Sequence, residues 1–382
     1  MSIKYWSAAF LIFALPCISA QYEVIMPAPC LLQASNNRLE NILSINNKSQ
    51  ILGCIDETYK TSQGVDNTYQ LFYLCGTEGQ IKFINPVEKH IAHLIKVNNR
   101  GKVVGCCGSV ISIWDELMGF RLIDIREDLN CNAADLIDFN DIGQAIGNYY
   151  PKEGGPSRAF LWDTWKAIDM GPGSEFANKL EALGYHVMDI NLNSINNLEE
   201  ITGIFKYGKY HPQKKEYIYA ASLPFFYDGQ IHVLKIDEKI RDYFNIQINN
   251  NSTAIINAGR KMEGGYVSAI SFIWNSKEGF TPLPEGFIAE KINDNNIILG
   301  YLGLFEFDPV IWKNGELNSL SDLLGSPMDN LASPFSENLA VEQIVKAIDI
   351  NNKDEILCVG SVWNDYCPCI LRPKKVDEQE LP

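Results

Sequence analysis

The sequence predicts an all-β, seven-bladed β-propeller with four-stranded blades, closed by an N-terminal strand that completes the last blade. Three observations predict it. A ten-residue pattern recurs seven times along the 382-residue chain. A second β-prone run ending in an aromatic side chain follows most copies. The last copy lacks its fourth strand, and a strand candidate without a partner precedes the first. Self-similarity at this spacing is the mark of a repeat architecture.

The pattern runs polar, Ile/Val/Phe, Asn, Asn or Asp, three variable residues, two mostly apolar residues, then usually Gly. Its copies span 44–53, 96–105, 138–147, 194–203, 247–256, 291–300 and 349–358. The invariant residues are Asn46, Asn98, Asn140, Asn196, Asn249, Asn293 and Asn351. Asn hydrogen-bonds its own backbone two residues on and tolerates left-handed backbone. Asn-rich tetrads between β-prone runs signal tight hairpins. These asparagines are therefore read as turn-shaping residues. Ile256 and Cys358 replace the terminal Gly in two copies.

The second half of each unit is another hairpin. SVISIW ends at Trp114, RAFLW at Trp162, SLPFFY at Tyr227, AISFIW at Trp274 and DPVIW at Trp312. In the first unit QLFYL aligns Tyr73, and in the last PCIL aligns Arg372, with this position. Four strands per unit of about 40–50 residues match a propeller blade. A recurring aromatic position is read as packing between blades rather than as a sugar platform.

The seam follows. YEVIM (22–26) supplies the missing outer strand of blade seven, so no sheet edge is left open there. Cys30 then lies near Cys358, Cys367 or Cys369, and Cys54 with Cys75 could bridge strands of blade one; pairing is not deducible from sequence.

The Asn-rich INNxG-type turns followed by an A-F-L-W-like strand, seen best in DFNDIGQAIGNY and SRAFLW (157–162), resemble the HAF-type extracellular repeat proteins of bacteria. LNSLSDLL (317–324) is similar to that family's inter-repeat segment. The resemblance covers roughly 40–372 and implies export and a propeller. It implies no catalytic residue.

Lys4, an apolar run at 5–16 and ISA ending at Ala20 read as a secretory signal, too short to span a membrane. The expected organisation is a signal peptide at 1–20, the propeller at 21–375 and an acidic tail at 376–382. A secreted, periplasmic or cell-surface monomer follows, and the cysteines fit an oxidising compartment. A net charge of −15 argues against a nucleic-acid partner.

No HExxH, GxSxG or phosphate-binding glycine loop occurs, and neither cofactor nor metal site is expected. Insertions are the better places for function. Residues 172–190 carry a short helix, 337–346 a second, and 206–217 (KYGKYHPQKKEY) a basic, Tyr-rich loop. Lys206, Tyr207, Lys209, Tyr210, Lys214 and Lys215 are the candidate contact residues, since binding residues concentrate on loops. The function expected is a binding scaffold for a protein or glycan. The alternative is a carbohydrate-active hydrolase or lyase with its site in the central channel.

Overall fold

The computed structural model describes residues 22–25, 42–60, 66–76, 80–84, 93–236, 240–261, 267–303, 308–324, 341–362 and 365–374. The signal segment, Cys30 and the acidic tail lie outside them.

Seven separate four-stranded antiparallel sheets form the seven blades. Blade one holds β2 (Ile42–Ile45), β3 (Ile51–Lys60), β4 (Asp66–Cys75) and β5 (Ile81–Ile84). Blade two holds β6 (His93–Val97), β7 (Val103–Cys107), β8 (Val110–Asp115) and β9 (Gly119–Asp124). A helical turn, α1 (Arg126–Leu129), leads to blade three: β10 (Cys131–Phe139), β11 (Ala145–Pro151), β12 (Arg158–Trp162) and β13 (Ala167–Asp169). Helix α2 (Glu175–Ala182) precedes blade four: β14 (His186–Ile195), β15 (Ile201–His211), β16 (Glu216–Tyr227) and β17 (Ile231–Val233). Blade five holds β18 (Ile240–Ile248), β19 (Thr253–Lys261), β20 (Val267–Asn275) and β21 (Gly279–Pro282). Blade six holds β22 (Phe287–Ile292), β23 (Ile298–Leu302), β24 (Asp308–Lys313) and β25 (Glu316–Ser319). Blade seven combines β26 (Gln343–Ile350), β27 (Ile356–Val362) and β28 (Asp365–Pro373) with β1 (Tyr22–Ile25).

The expected seam is present. β1 pairs antiparallel with β28, Tyr22 opposite Pro373 and Ile25 opposite Ile370. Tyr22 and Val24 are buried in the blade-seven core. Arg372 is not the aromatic equivalent there. In each blade the residue five after the invariant Asn faces the aromatic position: Val103 faces Trp114, Ala145 faces Trp162, Ala254 faces Trp274 and Ile298 faces Trp312. By this register the equivalents are Cys75, opposite Ile51, and Leu371, opposite Ile356. Tyr73 and Arg372 are each displaced from that position. Where the aromatic is Trp it packs between blades. Lys82 of blade one sits over Trp114, Arg121 of blade two over Trp162, and Phe226 of blade four lies 5.2 Å from Trp274.

The terminal Gly of the motif has a packing cause. The inner strand carries a β-bulge between the residues four and two before the Asn, as at Leu136/Asp138, Leu192/Ser194 and Ala289/Lys291. A bulge bends its strand toward the partner. A methyl on Gly147, Gly203 or Gly300 would fall 2.0–2.5 Å from the carbonyl oxygens of Asp135, Asn191 and Ile288. The two exceptions differ. In blade five the bulge sits between Tyr243 and Asn245, two residues earlier, and Ile256 occupies the Gly position; blade seven keeps the usual bulge at Ala347/Asp349 and holds Cys358 there.

Three further expectations are corrected. Cys54 pairs with Phe72 and Cys75 with Ile51, three ladder positions apart, so the two cannot bridge. No disulfide links the described cysteines; the Cys358 and Cys369 sulfurs face each other across β27 and β28 at 3.3 Å as thiols. The segment 206–217 is not a loop: both strands of the β15–β16 hairpin run through it, and only 212–215 turn. The helix expected at 337–346 is contradicted where it is described, because β26 starts at Gln343.

α2 forms as expected within 172–190. Ser174 caps it by accepting from the Ala177 N–H, and Phe176, Ala177 and Leu180 are buried against blade four.

Candidate functional site

The strand order fixes two unlike ends. The turns joining first to second strands, which hold the asparagines, share one end with the turns joining third to fourth strands. The β15–β16 turn and all connections between blades leave from the opposite end.

At the first end the asparagines do two jobs. Each invariant Asn is buried. Its side-chain oxygen accepts backbone N–H bonds from within its own turn, as Asn46 Oδ1 does from Lys48 and Gln50. Its side-chain nitrogen donates to the backbone carbonyl of the invariant Asn in the next blade. All seven such bonds are made, at 2.8–3.2 Å, and they close a ring. The following residue builds a second ring. The backbone N–H groups of Asn47, Asn99, Asp141, Asn197, Asn250, Asp294 and Asn352 each donate to the Oδ1 of the next member, at 2.7–2.8 Å. The sequence reading found the turn role and missed the rings. The signal available was that the second position is always Asn or Asp, the residues whose side-chain oxygen can accept. The left-handed residue is not the Asn itself but the one three later, as at Ser49, Gly101, Glu199 and Asp354.

Below the rings runs the central channel, a cavity of about 230 Å³. The polar residue that opens each motif lines it: Ser44, Lys96, Asp138, Ser194, Gln247, Lys291 and Asp349. Three of these again tie blades together. Ser44, Asp138 and Asp349 accept from the backbone N–H of Val97, Ile195 and Ile45 in the following blade. Asp138 also receives Lys96 Nζ at 2.5 Å and Ser194 Oγ at 3.0 Å. Burial works against its charge, and the Lys96 ammonium with these donors outweighs it, holding the carboxyl below its ordinary value. Lys96 is raised in turn: burial opposes its charge, and Asp138 overcomes that. Asp141 and Asp294 spend their oxygens in the second ring, each also receiving two asparagine side chains. The channel-lining residues include no histidine. A proton-donating carboxyl needs a raised pKa, and Asp138 is moved the other way. Among the described residues no cluster of His, Cys, Asp and Glu could hold a metal ion.

At the opposite end the β15–β16 hairpin projects beyond its blade. β17 pairs with Phe225–Tyr227, so among the described residues the outer edge of β16 from Glu216 to Leu223 has no strand partner in the sheet. The six candidate residues divide. Lys209, Tyr210, Lys214 and Lys215 are exposed toward the tip. Lys206 is exposed but bound to Asp189 at 2.9 Å, and Tyr207 is half-buried with its ring edge-on to Tyr185. The ladder adds residues the sequence reading did not single out. Tyr217 faces Tyr210 across it, and His186 stacks on Tyr217 with ring centres 3.6 Å apart. Tyr219, two residues on, bonds its hydroxyl to Asp242 of blade five. The period-two recurrence of Tyr217 and Tyr219 was the available signal.

No family model and no curated protein matches the sequence. Solved structures resemble it in fold. One of YCF48 bound to D1 peptide is 9% identical, covering 94% of this chain and 98% of that chain with a TM-score of 0.46. A chain of the mitotic checkpoint complex is 8% identical, covering 88% and 90%, also at 0.46. The GH74 xyloglucanase from Xanthomonas campestris is 7% identical and covers 89% of this chain and 53% of that chain, at 0.41. Likeness at this level says nothing of what the chain binds. No helix among the described residues is long and apolar enough to cross a membrane.

Proposed function

We propose that this chain is a non-catalytic binding scaffold, and that the β15–β16 hairpin is its contact surface for an acidic protein or glycan. The observation that carries the scaffold reading is the state of the channel. Asp138, Asp141 and Asp294 are held by backbone N–H groups, amides and Lys96. Most glycoside hydrolases use a pair of carboxyls in different protonation states, and these serve instead to join blades. The hairpin offers what the channel does not. Exposed lysines and edge-on tyrosine rings stand on a two-stranded arm, on a chain whose net charge is −15. Aromatic faces suit both sugar rings and peptide side chains, and clustered lysines select for negative charge.

The wider reading joins this surface to an exported, monomeric, single-domain propeller at 21–375, with a signal peptide at 1–20 and an acidic tail at 376–382. The resemblance of its turns to HAF-type repeats supports export. The test is direct. Lys206, Lys209, Lys214 and Lys215 are replaced by Ser, and binding to an array of acidic glycans and proteins is compared with the parent chain. Loss of the parent's ligands supports the hairpin; an unchanged binding profile removes it.

A further inference from the structure

The three variable residues of the motif are not equivalent. The third turns inward and the second takes the left-handed backbone. The first is exposed in all seven blades, and these seven side chains encircle the channel mouth at the asparagine end. Their order around the ring is sectored. Blades seven, one and two present Lys353, Lys48 and Arg100. Blades three and four present Ile142 and Leu198. Blades five and six present Asn251 and Asn295.

The polar sectors lean onto the next blade. Lys353 reaches Ser49, Lys48 reaches the Arg100 carbonyl, Asn251 the Asp294 carbonyl and Asn295 the Asn352 carbonyl. Ile142 and Leu198 interrupt this belt, 41% and 58% exposed. Beside them stands Trp165, 87% exposed, in the turn between β12 and β13. That turn lies on the blade-three asparagine turn: a methyl on Gly143 would be 3.8 Å from Thr164 Cγ2. Thr164 has φ of 56°, a left-handed backbone that a β-branched residue rarely adopts. Strained backbone of this kind collects at functional positions. Trp165, Ile142 and Leu198 are thus three exposed large apolar side chains on neighbouring turns at the mouth of the ring.

Charge indicates the occupant. Two carboxylates near the patch are engaged, Glu199 with Gln144 and Asp141 with Asn99 and Asn197, and Asp163 shares the Trp165 turn with the exposed Lys166. Exposed cations at this end include Arg100 of the adjoining blade, Lys48 and Lys353 of the two blades beyond it, and Lys166 next to Trp165, and none of these is in an ion pair among the described residues. We propose that the asparagine end is a second docking surface, separate from the hairpin. It takes a peptide segment of a partner protein in which a Leu or aromatic anchor sits on Ile142, Trp165 and Leu198 and neighbouring Asp or Glu side chains meet the basic sector.

The test is a random-peptide display selection against the full chain, with affinities of the selected peptides then measured in solution. Peptides combining an apolar anchor with carboxylates are expected. The variant carrying Trp165→Ser and Leu198→Ser, with an unchanged thermal midpoint, should bind them at least about tenfold more weakly. The variant carrying Lys48→Glu and Arg100→Glu should weaken them and reduce their salt dependence. The four-lysine hairpin variant should bind them as the parent does, so failure here and failure of the hairpin reading are separable. Selected peptides without acidic–apolar character, or equal affinity for the Trp165/Leu198 variant, overturn the proposal. So does Trp165-dependent co-flotation with phosphatidylserine vesicles, which makes the surface a membrane site.

Discussion

The side-chain amide of Asn351 donates to the backbone carbonyl of Asn46 at 2.9 Å, across 305 positions of sequence, and this bond completes the ring of seven. The same side chain bonds Glu355 and accepts the N–H groups of Lys353 and Glu355. One residue thus shapes its turn and joins the last blade to the first.

Asn351→Ala is therefore a ring-opening substitution. It removes one of the two donors to the Asn46 carbonyl, which keeps the Ser49 N–H, and leaves the N–H groups of Lys353 and Glu355 without their acceptor. Each orphaned group costs about 1–3 kcal/mol, so a total loss of roughly 2–4 kcal/mol is expected. The measurement is the urea midpoint with the slope checked for constancy. A shift no larger than that of an exposed substitution, within about 0.5 kcal/mol, would show that the ring is ornamental to stability.

Much of the architecture was legible before any coordinates, for physical reasons that also mark where legibility stopped. The seven turns were readable because Asn carries local information. The rings were not, because an inter-blade bond depends on superposing units separated by 42 to 58 residues. The helix expected at 337–346 overlaps β26 only at the strand's first four residues, and the strand itself carries a misleading period. Its buried residues are Ile344, Ala347 and Ile350, three apart, which mimics helical periodicity. Bulges between Ile344 and Lys346 and between Ala347 and Asp349 insert the extra residues that convert a period of two into three. The 206–217 segment misled in the opposite sense. Lys, Gly and His read as loop, whereas cross-strand pairing of Tyr210 with Tyr217 carries the ladder nearly to the tip. Of the proposed contact surfaces, the hairpin was legible as a cluster of Lys and Tyr. The patch of Ile142, Trp165 and Leu198 was not, since one member comes from a different turn.

The bulge and the glycine make a second prediction. A methyl at Gly203 would stand 2.5 Å from the Asn191 carbonyl oxygen and 2.7 Å from the Phe225 ring, and neither backbone nor buried ring can yield cheaply. Gly203→Ala should cost about 1–3 kcal/mol, the usual range for overpacking. Gly208→Ala in the same blade is the control. Its contacts are looser: the Met188 sulfur at 3.0 Å, on a flexible and exposed side chain, and the Ile218 carbonyl oxygen and Tyr217 Cβ at 3.2 Å. Thermal midpoints of the two variants should separate clearly. Equal midpoints would mean that the inner-strand bulge is soft and that the Gly of the motif has some other cause.

The seam also carries a pH dependence, through Glu355. Its carboxylate is 2% exposed and receives Ser49 Oγ at 2.5 Å, Asn351 Nδ2 at 2.7 Å and Arg372 Nε at 2.7 Å. Burial pushes its pKa up, and the bonds from Ser49, Asn351 and Arg372 more than reverse this, leaving it below the ordinary 4.5. A group depressed in the folded state takes up its proton more readily when unfolded. Its contribution is therefore complete above about pH 5 and is lost as pH falls through the unfolded value toward the folded one. Glu355→Gln should cost roughly 1.5–3 kcal/mol near neutrality, the worth of hydrogen bonds to a charged group. The variant should also lose less stability than the parent between about pH 6 and pH 3, because the titrating carboxyl is gone. Denaturant midpoints of both proteins across that interval measure the difference. Parallel curves would place the acid sensitivity elsewhere in the ring, with Asp138, also held below its ordinary value, as the next carboxyl to replace.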